Sequence, residues 1–152
     1  MDANKELVKH LNSLLEKHND AVKGYEEAAE EVKNPSLKTF LERNASTRRS
    51  FAQDLKQEVV SLGGDPEDST SVKGDLHRSW LDLKSAFSSD NDESVLEECI
   101  RGEESAIKDY DETIRSGDIP SGLNNKLQTQ RDQIQQALNE LKSLELAADR
   151  AN

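Results

Sequence analysis

Seven polar or phenolic side chains stand where a helical sequence would carry apolar ones. His18, Asn44, Arg48, Glu103 and Gln130 each interrupt a stripe of Leu, Ile, Val and Ala, and Tyr25 and Tyr110 follow His18 and Glu103 at the same distance of seven residues. A buried polar group without a partner costs about 1 to 3 kcal/mol, and a buried unpaired charge costs more. So many of them on core stripes must answer to one another or to a bound ion. Two kinds of chemistry fit these residue types.

The first is metal ligation. Imidazole and carboxylate are donors for iron and other divalent ions, and His18 and Glu103 each precede a Tyr by one heptad, as a ligand with a nearby phenol would. Di-iron carboxylate bundles place a Glu on two helices and Glu-x-x-His on the other two. That motif is missing here; the nearest strings are Glu42-Arg43-Asn44-Ala45 and Gln130-Arg131-Asp132-Gln133. One His and one Glu do not supply the carboxylates that neutralise two irons.

The second is an ion pair. Counted from the Asn34-Pro35 turn, Arg48 comes level with His18, and its guanidinium can face Glu103 from the other half of the chain. It would then stand in for the metal cation, with His18, Asn44 and Gln130 completing the hydrogen bonds. The other reactive residue types read as structure. Cys99 occupies a core stripe with no activating base near it in sequence, and a single cysteine excludes an internal disulfide and a Cys-based zinc site. Glu26, Glu27, Glu30, Glu31, Glu97 and Glu98 form solvated faces. Gly-rich phosphate loops, Ser/His/Asp arrangements and basic-aromatic patches are missing from the sequence.

The elements that must position these residues are helices. Leu7, Leu11, Leu14, His18, Ala21, Tyr25, Ala28 and Val32 follow one another at alternating spacings of 4 and 3, the seam of an amphipathic helix. Asn34-Pro35 ends it, since proline cannot continue a helix but suits the first turn of the next. The second stripe is Leu37, Leu41, Asn44, Arg48, Phe51, Leu55 and Leu62, closed by Gly63-Gly64-Asp65-Pro66. A short helix through Leu76, Trp80, Leu83 and Phe87 follows a polar stretch, with Trp80 as its anchor and His77 on its edge. The third stripe is Leu96, Cys99, Glu103, Ala106, Tyr110 and Thr113, broken at Gly117-Asp118-Ile119-Pro120. The fourth is Leu123, Leu127, Gln130, Ile134, Ala137, Leu141, Leu144 and Ala148. Gly24 and Gly102 fall mid-helix, where they mark close helix contact, room for the crossover segment or a helix distortion.

Short loops join the first helix to the second and the third to the fourth, which makes two antiparallel hairpins. The connection over 63–91 is long enough to return along the whole bundle. A weak repeat relates the hairpins: Ala21 to Glu27 matches Ala106 to Glu112 at an offset of 85, and Leu37, Leu41, Asn44 and Leu55 match Leu123, Leu127, Gln130 and Leu141 at an offset of 86. The pattern predicts one all-α domain over 1–152, a ferritin-like antiparallel four-helix bundle whose long crossover carries a short fifth helix.

Composition narrows the function. The 152 residues carry 31 acidic and 20 basic side chains, a net charge of -11, with 33% hydrophobic residues and a mean hydropathy of -0.88. A surface so acidic argues against nucleic acid and anionic membranes as partners. Apolar runs of three residues or fewer cannot cross a bilayer, and a cytoplasmic setting is expected.

Specific strings add a resemblance. Asn19-Asp20 with Gly24-Tyr25-Glu26-Glu27-Ala28-Ala29, Leu62-Gly63-Gly64-Asp65-Pro66, Gly74-Asp75-Leu76-His77-Arg78-Ser79-Trp80 and Arg101-Gly102-Glu103-Glu104 through Tyr110 resemble a bacterial family of small ferritin-like four-helix-bundle proteins, a domain of unknown function. The resemblance covers the first three quarters of the chain and implies the ferritin-like superfamily and a bacterial cytosol, with no established activity. The expectation is a non-catalytic interaction or stress-associated protein without a cofactor, its partner another protein or a second copy of itself, with a polar core plug where a di-iron site would be. The alternative is a protein that binds iron or another divalent metal at His18 and Glu103, or an oxidoreductase built on that site. A third reading is a binder of a small apolar ligand near Trp80.

Overall fold

The computed structural model describes residues 2–68 and 92–151, with side chains over 4–68 and 92–148. Four helices make it up: α1 (Asp2–Glu31), α2 (Pro35–Ser61), α3 (Asp92–Arg115) and α4 (Ser121–Ala151), and no strand occurs among the described residues. The expected fifth helix, with His77 and Trp80, lies outside them.

The turns form for local reasons. Asn34 is the N-cap of α2, its side-chain oxygen accepting from the backbone N–H of Ser36 at 2.8 Å and Leu37 at 3.2 Å, with Pro35 in the first turn. At the other end Gly63 takes φ +84°, its N–H donates to Val60, and that of Gly64 donates to Val59. This is the Schellman closure. Gly64 is also held by packing: a Cβ there would lie 2.6 Å from Val8 Cγ1.

Cross-helix pairs fix the directions. α1 runs antiparallel to α2, with His18 beside Arg48 and Ala29 beside Lys38. α3 runs antiparallel to α4, with Tyr110 beside Gln130 and Glu104 beside Lys142. α1 is antiparallel to α3 as well, through Lys17–Asp109, Tyr25–Glu103 and Lys33–Asp92. α2 is antiparallel to α4, through Arg43–Glu140 and Glu58–Lys126. Each helix thus has two neighbours, and α2 and α3 lie diagonally and point the same way. The end of α2 thus lies the length of a 27-residue helix, about 40 Å, from the start of α3. There the Asp92 carboxylate accepts from the backbone N–H groups of Lys33 and Asn34 and ties α3 to the first turn.

The core is in two parts. One cluster gathers Ala21, Ala28, Ala29, Leu37, Phe40, Leu41, Cys99 and Leu141 with their neighbours; the other gathers Leu7, Leu11, Leu14, Leu15, Phe51, Leu55, Leu123, Leu127 and Ile134. The apolar face is wider than the stripes alone. Leu15, Phe40 and Leu138 are buried beside them, whereas Leu62 is only half-buried.

Candidate functional site

A polar layer separates the two apolar clusters. His18, Tyr25, Arg48, Glu103, Tyr110 and Gln130 are each no more than 3% exposed, and Asn44 is 7% exposed. α1 supplies His18 and Tyr25, α2 Arg48, α3 Glu103 and Tyr110, and α4 Gln130. Two helical turns separate His18 from Tyr25 and Glu103 from Tyr110, so each helix presents both groups to the interior.

Arg48 organises the layer. Its Nη2 donates to Glu103 Oε1 at 2.5 Å, and its Nη1 lies 2.9 Å from His18 Nδ1. Tyr25 donates to the same Glu103 oxygen at 2.6 Å. A guanidinium can only donate, which settles the histidine tautomer: Nδ1 accepts, so the proton is on Nε2. That N–H then donates to the Tyr110 oxygen at 2.6 Å, and the Tyr110 hydroxyl donates to Gln130 Oε1 at 2.7 Å. One directed chain runs from Arg48 through His18 and Tyr110 to Gln130. Phe51 and Tyr110 also hold the imidazole edge-on, at ring separations of 5.6 and 5.7 Å.

Electrostatics agree with that assignment. Burial, and then the Arg48 charge, push the His18 pKa well below its ordinary 6.5 and keep the ring neutral. Burial works against the Arg48 cation, but Glu103 and the two tyrosines outweigh it and raise its pKa. Burial first and Glu103 second push the Tyr25 hydroxyl well up, and burial does the same to Tyr110. Both phenols stay protonated as donors.

Asn44 does not join the layer. Its amide donates to the Phe40 carbonyl one turn back at 2.9 Å, which satisfies it within its own helix. Cys99 lies one turn before Glu103, fully buried; burial and the neighbouring carboxylate hold its thiol protonated, the opposite of what a nucleophile needs. Stripe reading overlooked Phe40, whose ring meets Tyr25 edge-on at 6.1 Å, and Asp20, buried at 8% exposure. Asp20 lies two residues beyond His18, off the stripe, where period alone assigns a residue to the surface.

The donor set can be tested against a divalent metal. Both His18 nitrogens are engaged, one by a cation 2.9 Å away, and Glu103 Oε1 already accepts from Arg48 and Tyr25. Among the described residues no three His, Cys, Asp or Glu side chains converge. Such a set does not fit an ion that needs several anionic or neutral ligands and no adjacent positive charge. Within the layer two buried side-chain atoms have no hydrogen-bond partner, Glu103 Oε2 and Gln130 Nε2.

No helix among the described residues is long and apolar enough to cross a membrane. Comparison with curated proteins gives no match. The family described as Domain of unknown function (DUF2383) matches residues 6–116, a span that takes in most of α1, all of α2 and α3, and every residue of the polar layer but Gln130. With most of its length and the Arg48–Glu103 pair inside that match, the chain belongs to the DUF2383 family.

Proposed function

We propose that this protein is a non-catalytic member of the ferritin-like superfamily, in which a guanidinium occupies the bundle centre where a metal pair would sit. It acts through its surface, as an interaction or stress-associated protein of the bacterial cytosol. The observation that carries the reading is Arg48, whose two nitrogens engage Glu103 and His18 at 2.5 and 2.9 Å. Its cation neutralises the carboxylate that a metal would otherwise neutralise. The parallel placement of α2 and α3, with α2 ending and α3 beginning at opposite ends of the bundle, supports the ferritin-like assignment. The buried, protonated Cys99 is no free nucleophile and the fully engaged His18 no free base, which supports the non-catalytic reading. The acidic outer surface favours a protein partner or a second copy over nucleic acid.

A second reading, a metal-binding protein or di-iron-type oxidoreductase at His18 and Glu103, draws support from one observation, the unpartnered Glu103 Oε2. Elemental analysis decides between the two, on protein purified without chelator and again after anaerobic loading with ferrous iron. The proposal expects only trace metal, equal in the wild type and Glu103→Ala. A pair of metal ions per chain, lost in that variant, would overturn it.

A further inference from the structure

A weak repeat relates the two hairpins, and their core positions differ most tellingly in the polar layer. Position 18 corresponds to 103 and 25 to 110 at an offset of 85, while 44 corresponds to 130 and 48 to 134 at an offset of 86. The tyrosines obey this relation across the interface. Tyr25 of the first hairpin bonds Glu103 of the second, and Tyr110 of the second bonds His18 of the first, both at 2.6 Å. Contacts that exchange when the partners are exchanged mark a two-fold, self-complementary interface. The charges break that symmetry, because the counterpart of Arg48 is Ile134 and the counterpart of Glu103 is His18.

An interface that is two-fold in shape would accept like hairpins as readily as unlike ones. Charge separates the outcomes. Two first hairpins would bury two Arg48 guanidinium groups without a carboxylate, and two second hairpins would bury two Glu103 carboxylates without a cation. Only unlike hairpins set one cation against one anion, and specificity of this kind comes from the repulsion in the wrong pairings. We infer that the buried Arg48–Glu103 pair selects the hairpin partner, and that the inner face of each hairpin is a docking surface for the complementary hairpin of a second copy of this chain as well as for its own. Between Ser61 and Asp92 lie the 30 residues from 62 to 91, which span at most about 100 Å when extended. That reach lets two chains exchange hairpins while keeping the core contacts among the described residues.

The inference rests on the ion-pair reading of the core, which metal analysis tests separately. Its own test uses two full-length chains, R48E and E103R. Each alone sets like charges together and is expected to lose helix content and melt below the wild type. Refolded together in equal amounts, the first hairpin of R48E meets the second hairpin of E103R, and the native pair re-forms in the other half of the dimer. The expected result is a species of twice the single-chain mass by native mass spectrometry, with far-ultraviolet ellipticity restored toward the wild type. The double variant R48E/E103R, expected as a helical monomer, keeps the test readable where a single variant does not fold. A mixture whose mass and ellipticity equal the average of its components overturns the inference, as does a single variant that melts like the wild type.

Discussion

Arg48 and Arg49 are neighbours on α2, and each pairs with a glutamate at nearly the same distance: Arg48 with Glu103 at 2.5 Å, Arg49 with Glu26 at 2.6 Å. The first pair is 2% and 1% exposed, the second 56% and 55%. Water screens the outer pair and would solvate either partner alone, so such pairs contribute about 0 to 1 kcal/mol. Nothing solvates the inner pair. Removing one partner leaves a buried charge with only neutral neighbours to hold it, Tyr25 for Glu103 or His18 for Arg48, and that cost sets the scale of the effect. Distance is therefore a poor guide to what an ion pair contributes, and burial is the deciding quantity.

The comparison breaks most visibly in Arg48→Ala. The loss is expected at about 3 to 5 kcal/mol, a fall in Tm on the order of 10 °C for a chain of this size, measured by thermal and urea unfolding. An unchanged Tm would mean that Glu103 is held by something other than Arg48. Removing both charges sharpens the point: Arg48→Met with Glu103→Leu is expected to be far milder than Arg48→Ala alone, between neutral and about 4 kcal/mol more stable than the wild type. A double variant as unstable as the single one would place the cost in packing rather than in charge.

Acid probes the same layer through His18. Its folded pKa is depressed, so below 6.5 the unfolded chain binds a proton that the native chain refuses. Stability is full above 6.5 and falls as the pH drops toward the folded value, by up to about 1.4 kcal/mol per pH unit from this group. His18→Gln can still accept from Arg48 and donate to Tyr110, and it is expected to remove that part of the slope in urea titrations at several pH values. Smaller still is Asn34→Ala, which removes the cap of α2 for about 1 kcal/mol. Arg49→Ala closes the series, with a loss no larger than about 1 kcal/mol in low salt and less at high ionic strength.

What made Arg48 distinguishable from Arg49 was position along the helix. Arg48 follows Leu41 by seven residues and Asn44 by four, and Arg49 is one step, about 100° of rotation, off that seam. The turns at Asn34-Pro35 and Gly63-Gly64 were legible for a similar reason, because a cap and a positive φ are demands of a few consecutive residues. The same reasoning failed for Asp20, Leu15 and Phe40, which period assigns to a flank and which are buried because adjoining helices and long side chains cover more than one narrow seam. It failed differently for Asn44. Its stripe position marks an interior residue, yet whether it joins the layer depended on a carbonyl one turn back being nearer than any group on another helix.

The sequence by itself determined the four helices, their ends and which faces turn inward, because those follow from the period of apolar residues and from local capping. Only the tertiary structure decided who bonds to whom. That Tyr25 reaches Glu103 and Tyr110 reaches His18, that one guanidinium spans both, and that the imidazole proton sits on Nε2 all depend on the register between helices far apart in the chain. A shift of one hairpin against the other by one turn, about 5.4 Å, would keep every stripe facing inward and break all three bonds that cross between the hairpins.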